Sequence, residues 1–329
     1  MLHRTLNWIS AHVDAGKTRL TERLPDEAGG RMHPDELPID LSLVRRLIAT
    51  QFPQWAELAI RPVRSAGSDN AIYRLGDDMV VRLPRRSGRT VESLDKECKW
   101  LPRLAPLLPL AIPGPLAKGM PGEDYPCRWA VYRWLEGETA TVELLADAHQ
   151  AAMDLAGFLA ALQQIDPTEG PLPGEHNFFR GVPLAARDAQ VRSAIASLRD
   201  ELDVRAVTAA WEAALRAPEW HGPPLWIHGD FCDGNLLADG GRFSGVIDFG
   251  GLAVADPACD LMAAWSFLSV EAREVLRTAL SIDDATWARG RGWALSVALI
   301  ALPYYWTTNP VRVAYSWHRI GEVLADHAG

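Results

Sequence analysis

Cysteine is scarce in this sequence and shows no pairing pattern. Four cysteines occur among 329 residues, and no two of them form a CxxC pair: Cys98, Cys127, Cys232 and Cys259. This spacing argues against a disulfide scaffold and against a structural zinc site. We therefore expect reduced thiols and a fold that is stabilised by its apolar core.

Long apolar runs and excess positive charge are also missing. No stretch approaches 18 apolar residues, and His12, Asp14 and Lys17 interrupt the region where a signal peptide would lie. The formal net charge of -9 argues against nucleic-acid binding and is compatible with a cationic small-molecule partner. We expect a cytoplasmic monomer or homodimer that binds neither membrane nor nucleic acid.

The sequence contains enough apolar residues for a large core, since 48% of the 329 residues are hydrophobic. Its patterns divide it into an N-terminal extension (1–36), a mostly β lobe with one prominent helix (37–135) and a helical lobe (136–329). In the first lobe we predict a helix near 41–48, strands at 58–64, 71–75, 79–83 and 128–135, a hairpin turn at 76–78, a helix over 90–104 and a proline-rich connection at 106–115. In the second, helices are predicted at 146–165, 205–215, 257–268, 271–280 and 285–303, with an irregular region at 225–251.

The irregular region contains the residues that indicate chemistry. The stretch HGDFCDGN presents His228, Asp230 and Asn235, and a second apolar run ends in Asp248-Phe249-Gly250. Phosphoryl transfer requires a carboxylate that orients the acceptor hydroxyl and hard oxygen ligands for Mg²⁺. Each residue alone is also typical of a turn. The ordered set, at the spacing of a kinase catalytic loop followed by its DFG motif, indicates phosphoryl transfer.

These motifs resemble the aminoglycoside phosphotransferase family from about Ile39 to the C-terminus. The resemblance implies an α+β, bilobal, protein-kinase-like fold that uses ATP or GTP and Mg²⁺. It also implies that Asp230 is the catalytic base, that Asn235 and Asp248 are Mg²⁺ ligands and that His228 supports the catalytic loop. An Asp at the position of Asp260 braces that loop in the family, although Asp256-Pro257 and Asp260 also suit a helix start.

The first lobe supplies candidate nucleotide-binding residues. Period-two alternation in MVVRLP places Val80 and Arg82 on one face of a strand. Glu97 falls in the apolar stripe of the next helix, where a carboxylate needs a partner, and Arg82 is the natural candidate for an ion pair. A surface Arg and an unrelated helix-face Glu are the alternative. The kinase pattern has Lys where this chain has Arg82, whereas some members of the phosphotransferase family also carry Arg there. A guanidinium can still contact phosphate oxygens, but the phosphate geometry is left open.

Other nucleotide contacts follow only from the resemblance. The loop Ser65–Asn70 lies where a glycine-rich loop would cover the phosphates, which makes Ser68 and Asn70 candidates, although a plain turn is equally compatible. The backbone from Tyr132 to Leu135 corresponds to the hinge that faces the purine, with Tyr132 and Trp134 as candidate contacts. The segment His176–Gly181 opens a substrate-side region whose chemistry its residue types do not specify.

A separate motif near the N-terminus resembles the phosphate loop of translational GTPases. AHVDAGKT (11–18) has the Gly-Lys-Thr ending of such a loop, but Ala11 replaces the first glycine, and the NKxD guanine-binding motif is absent from the sequence. We therefore interpret this segment as a displaced fragment without a GTPase core.

The predicted function is phosphorylation of a small-molecule hydroxyl, foremost that of an aminoglycoside-type antibiotic. The alternatives are a kinase of macrolides, choline or sugars, a catalytically silent nucleotide-binding pseudokinase, and a GTP-binding protein built on AHVDAGKT.

Overall fold

The computed structural model describes residues 35–63, 67, 69–87 and 90–328. The AHVDAGKT segment and Ser68 lie outside the described residues. The helices of the described part are α1 (Leu41–Gln51), α2 (Thr90–Leu104), α3 (Ala148–Gln164), α4 (Asp188–Ser197), α5 (Val204–Arg216), α6 (Ala264–Phe267), α7 (Val270–Ala279), α8 (Asp284–Tyr305) and α9 (Pro310–Ala328). Its strands are β1 (Ile60–Pro62), β2 (Asn70–Leu75), β3 (Met79–Pro84), β4 (Pro115–Gly119), β5 (Trp129–Arg133), β6 (Glu138–Thr139), β7 (Leu225–Ile227), β8 (Leu236–Asp239), β9 (Arg242–Val246) and β10 (Ala253–Ala255).

A five-stranded antiparallel sheet in the order β1-β2-β3-β5-β4 forms the small lobe. The hairpin between β2 and β3 turns at Gly76, whose φ of +59° suits glycine, so the predicted turn is confirmed. Alternate residues of both strands are buried, as their sequence pattern predicts. Asp40 caps helix α1, since its side chain accepts the Leu43 N–H at 2.7 Å. The apolar stripe of this helix is part of the core of the small lobe.

Helix α2 connects the two lobes through its packing. Its buried residues Leu94, Leu101 and Leu104 belong to the same apolar cluster as the helices of the large lobe. Ala130 and Tyr132 of β5 also belong to this cluster, whereas the opposite face of the sheet forms a second cluster with α1. The helix carries Glu97, which is 2% exposed. Helix α2 therefore places a buried carboxylate between the sheet and the large lobe.

The large lobe is mainly helical, and the predicted irregular region contains its short strands. Strand β7 pairs with β10, and β8 pairs with β6 and β9, so residues 228–235 form the loop between β7 and β8. Trp287, Trp293 and Trp317 are buried in the core of this lobe, whereas Trp306 is exposed. No helix in the described part of the chain is long and apolar enough to cross a membrane.

Several predicted elements differ from the structure. The proline-rich connection leads into strand β4, and helices α4 and α9 were not predicted. Residues 257–268 form a 3₁₀ helix (Pro257–Ala263) followed by the short α6, in place of one α-helix. The lobe boundaries at 36/37 and 135/136 stay predictions. Among the described residues, Glu36 pairs with Arg85 at 3.4 Å and the Leu37 N–H donates to the Arg85 carbonyl.

Candidate active site

Buried backbone contacts hold the loop between β7 and β8 in place. The Asp260 carboxylate accepts the His228 N–H at 2.6 Å and the Gly229 N–H at 2.8 Å. Gly229 has φ +83°, and a Cβ there would lie 2.2 Å from the Gly251 carbonyl oxygen. The loop therefore packs directly against the segment that follows Asp248, and only glycine fits at this approach. Asp260 braces this loop as the sequence predicts, and Asp256 caps the helix start through the Ala258 N–H at 3.0 Å.

His228 lies fully buried and supports the loop through both ring nitrogens. Nδ1 accepts the Asp230 N–H at 3.2 Å, so Nε2 carries the proton and donates to the Ile247 carbonyl at 3.0 Å. Burial lowers the pKa of His228, which favours the neutral ring that this pattern requires. The imidazole thus links the residue before Asp248 to Asp230, as expected for a loop support that does not itself donate protons to a substrate.

Both carboxylate oxygens of Asp230 have polar partners. Oδ1 lies 3.2 Å from the Arg180 Nη2, and Oδ2 accepts from the Asn235 Nδ2 at 2.8 Å. Burial works to raise the pKa of Asp230, but the positive charges of Arg180 and Arg312 outweigh it and hold the pKa below its usual value. The carboxyl group is therefore ionised at neutral pH and can accept a hydrogen bond from a hydroxyl.

The predicted ion pair of Arg82 and Glu97 is formed. The Arg82 Nη1 lies 3.1 Å from the Glu97 Oε2, and its Nη2 lies 3.3 Å from the Asp248 Oδ1. The Tyr132 hydroxyl donates a hydrogen bond to the same Glu97 carboxylate. Arg82 thus connects strand β3, helix α2 and Asp248, which places a guanidinium at the interface of the two lobes.

The donor set of Asn235 and Asp248 fits a magnesium ion. The Asn235 Nδ2 donates both to the Asp230 carbonyl at 2.9 Å and to its Oδ2, so the amide is oriented with Oδ1 as its acceptor side. Asp248 has φ +64° and its carboxylate is 35% exposed, paired only with Arg82 among the described residues. An amide oxygen and a carboxylate are hard oxygen ligands of the type that Mg²⁺ prefers.

Lys96, which the sequence analysis did not single out, reinforces the segment after Asp248. Its Nζ donates to the Gly250 carbonyl at 2.8 Å and lies 3.0 Å from the His176 Nδ1. The His176 Nε2 faces the Leu172 carbonyl at 2.8 Å, which makes Nδ1 the acceptor of the lysine proton. Burial lowers the pKa of Lys96 to about 8. Lys96 therefore joins helix α2 to two loops of the large lobe.

Asn70, Tyr132 and Trp134, the other predicted nucleotide contacts among the described residues, interact mainly with residues of the small lobe. Asn70 is the first residue of β2 and pairs in register with Pro84, and its carbonyl lies 3.3 Å from the Arg85 Nε. The Tyr132 side chain binds Glu97, and the Trp134 ring lies 4.0 Å from the Arg74 guanidinium carbon. The N–H groups of Arg133 and Trp134 donate to the Gly114 and Asp78 carbonyls, so these two donors of the predicted hinge are used within the lobe.

Arg180 and Arg312 are functional candidates that sequence reasoning missed. Arg180 lies in the stretch HNFFRG, whose Asn177 donates to the Gly251 carbonyl at 3.3 Å and so fixes this stretch against the segment that follows Asp248. Arg312 lies on α9, 82 residues after Asp230 in the sequence numbering. No local pattern predicts the contact of Arg180 with Asp230 or the effect of the Arg312 charge on it, because both depend on how the large lobe packs.

Comparison with known proteins decides the family. Residues 60–293 match the Phosphotransferase enzyme family, which is more than half of the chain. The chain belongs to this family. The phosphotransferase is a small-molecule kinase, and its family and its α+β, kinase-like fold agree with the resemblance that its motifs carry. No curated protein matches the sequence.

Solved structures support the same fold. The GDP complex of wild-type aminoglycoside 2'-phosphotransferase-IIIa superposes with a TM-score of 0.67 at 17% identity, covering 88% of the phosphotransferase and 100% of that chain. The streptomycin-ATP ternary complex of APH(2")-IIa gives a TM-score of 0.55 at 20% identity, and the superposition covers 80% of the phosphotransferase and 90% of that chain. The macrolide 2'-phosphotransferase MphH of Brachybacterium faecium gives a TM-score of 0.58 at 23% identity, with 85% of the phosphotransferase and 98% of that chain covered. Because the sequence identities are 17% to 23%, this structural similarity establishes the fold alone.

Proposed function

We propose that the phosphotransferase transfers the γ-phosphoryl group of ATP or GTP to a hydroxyl of a small molecule, with Asp230 as the catalytic base. The observation that carries this proposal is the fixed carboxylate of Asp230, ionised and held by Asn235 at 2.8 Å within the loop that Asp260 braces. An ionised carboxylate in this position can accept the proton of the attacking hydroxyl and orient its oxygen. Asn235 acts in turn as a positioning residue because its amide fixes one oxygen of that carboxylate.

Arg82 and Asp248 provide the side of the site that serves the nucleotide. Arg82 offers guanidinium donors next to Asp248, and Glu97 keeps that guanidinium in place from the helix side. Asn235 and Asp248 would hold Mg²⁺, which supplies neutralisation of the charge on the phosphate oxygens when bound. Ser68, Asn70, Tyr132 and Trp134 remain candidate nucleotide contacts, predicted from the resemblance alone.

The acceptor is proposed only by class. The similar structures include complexes of aminoglycoside phosphotransferases with kanamycin, gentamicin and streptomycin, and two others are macrolide phosphotransferases. Aminoglycoside-type antibiotics, which the sequence resemblance favours, are therefore the first acceptors to examine, and macrolides are the second. A catalytically silent nucleotide-binding protein is disfavoured because Asp230, Asn235 and Asp248 are all present.

A panel of acceptors tests this function. Aminoglycosides, macrolides, choline, sugars and hydroxy acids are each incubated with ATP or GTP and Mg²⁺, and products are measured by mass spectrometry. We expect at least one acceptor to gain the mass of one phosphoryl group, and transfer to stop when the metal is chelated. Nucleotide binding without transfer to any acceptor would support the silent alternative and contradict the proposal.

A further inference from the structure

A tight turn in the loop between β7 and β8 carries Asn235. The Asn235 N–H donates to the Cys232 carbonyl at 3.1 Å, so Asp233 and Gly234 are the two central residues of this turn. Gly234 has φ +88°, a left-handed conformation that glycine adopts without strain. The conformation of the turn therefore determines where the Asn235 side chain lies relative to Asp230.

Two helices of the large lobe bind the Asp233 side chain. Its carboxylate pairs with the Arg319 Nη2 on helix α9, and the Ser266 hydroxyl of α6 donates to the same Oδ1 at 2.6 Å. Asp233 and Arg319 are both buried. Burial works to raise the pKa of Asp233, but the Arg319 charge and the Ser266 hydrogen bond outweigh it and hold the pKa below its usual value. The turn is therefore anchored to the large lobe by a charged carboxylate.

The start and the end of the same loop have separate supports. The Asp260 carboxylate accepts the first two N–H groups of the loop, and the Ile247 N–H donates to the Asn235 carbonyl at 2.8 Å. These contacts bind the backbone on either side of the turn, whereas Asp233 lies at its centre. Arg319 therefore acts on a part of the loop that the backbone contacts do not reach.

The stability of the fold alone does not explain a buried ion pair at this turn. Burying two charges costs solvation free energy that their attraction only partly offsets, and an apolar pair of similar volume is often equally stable. The Arg319 Nε is also buried without a hydrogen-bond partner in the described structure. A charged hydrogen bond does supply a fixed direction, which apolar packing does not. The pair is therefore better suited to orienting the turn than to stabilising the lobe.

We propose that the ion pair of Asp233 and Arg319 positions the site, because it holds the turn that presents Asn235 to Asp230. The connection runs through direct contacts. Arg319 binds Asp233, the turn around Asp233 ends at Asn235, and the Asn235 amide donates to the Asp230 Oδ2 at 2.8 Å. Asp233 and Arg319 are positioning residues, since they act through Asn235. This inference rests on the proposed phosphotransfer and adds helix α9 to the elements that set the geometry of the site.

Replacing both charges tests the positioning role without leaving either charge buried and unpaired. In the double variant Asp233→Leu/Arg319→Met, apolar side chains occupy the space of the pair, and the Ser266 hydroxyl can still donate to the Met262 carbonyl, 3.2 Å away. We expect the midpoint of urea unfolding to stay near that of the wild type. With the best acceptor, we expect kcat and kcat/KM to fall equally, by about tenfold, because the lost orientation matters in the transition state.

A matched control separates positioning from a general loosening of α9. The variant Arg273→Met/Glu322→Leu removes an ion pair between α7 and α9, and we expect it to keep wild-type kcat. Arg319→Lys keeps the charge but not the planar guanidinium, so its kcat should lie between those of the wild type and the double variant. Wild-type kcat in a folded Asp233→Leu/Arg319→Met variant, or an equal loss in the control, would overturn the proposal. If the double variant does not fold, wild-type kcat in Arg319→Lys would overturn it.

A binding measurement tests the same pair without turnover. Because Asn235 is a proposed metal ligand, the Kd of a non-hydrolysable nucleoside triphosphate is measured by calorimetry with and without Mg²⁺. We expect Mg²⁺ to tighten binding in the wild type and in the control, and to do so about tenfold less in Asp233→Leu/Arg319→Met. An equal effect of Mg²⁺ in all three proteins would refute the positioning of Asn235. The expected Mg²⁺ result without phosphorylation of any acceptor would refute the proposed phosphotransfer and leave the positioning role supported.

Discussion

At the scale of single residues, the site depends on carboxylates that are kept in different charge states. Cationic neighbours hold the pKa of Asp230 low, so it is ionised and can act as a base. Asp260 has the opposite shift, because burial raises its pKa to about 7 although it accepts two backbone N–H bonds. Environments that separate the pKa values of neighbouring carboxyl groups are typical of active sites.

The raised pKa of Asp260 predicts a pH-dependent contribution to stability. Between the ordinary value near 4 and the folded value of about 7, the folded state binds the proton more tightly than the unfolded state does. The contribution of this carboxyl is therefore greatest below about pH 4 and is lost as the pH rises through 7. In urea unfolding from pH 5 to 8.5, we expect the stability advantage of the wild type over Asp260→Asn to shrink with rising pH. A difference that is constant with pH would contradict the shift.

At the scale of secondary-structure elements, helix α2 is the part of the small lobe that organises the site. Its neighbouring residues Lys96 and Glu97 point to different partners: Glu97 binds Arg82 and Tyr132, and Lys96 binds Gly250 and His176. The helix therefore sets both the strand-side guanidinium and the loop that contains Asp248. A shift of α2 would move both groups together.

Replacing Lys96 with Met tests whether Lys96 positions the loop that contains Asp248. Methionine is apolar and of similar length, so it removes the cost of burying a cation and leaves the Gly250 carbonyl without its donor. We expect little change in the free energy of unfolding at pH 7 but about a tenfold loss in kcat, from a less ordered Asp248 loop. The control is Lys99→Met, because Lys99 lies on the same helix with its side chain 48% exposed. Equal activity of the two variants would show that Lys96 does not position the loop.

Sequence patterns predicted the elements whose signals are local. Helices α1 and α2 and strands β2, β3 and β5 have clear periodicity, and the hairpin turn at Gly76 has suitable residues. Strand β4 was missed because PLAKG contains proline and glycine and gains its pairing only from β5. HGDFCDGN predicted Asp230 and Asn235 as site residues through a fixed spacing. Arg180 and Lys96 have no comparable local signal, since their contacts with Asp230 and Gly250 form only when distant segments pack together.

At the scale of the whole molecule, the net charge does not describe the surroundings of Asp230. The chain carries a formal charge of -9, yet Asp230 is paired with Arg180 at 3.2 Å. Net charge influences long-range attraction, whereas the groups within hydrogen-bond distance determine which acceptor fits. Arg82 of the small lobe pairs with Asp248 at 3.3 Å, and Arg180 of the large lobe pairs with Asp230 at 3.2 Å.

The central claim is that Asp230 is the base of a phosphoryl transfer. Its most direct test is the turnover of Asp230→Asn with the best acceptor from the panel, compared with the wild type and with Asp200→Asn, whose side chain is 87% exposed. The amide retains the shape of the side chain but cannot accept the hydroxyl proton, so we expect kcat to fall at least about 10²-fold with nucleotide affinity preserved. Asp200→Asn should retain wild-type turnover. Wild-type transfer by Asp230→Asn would contradict this account.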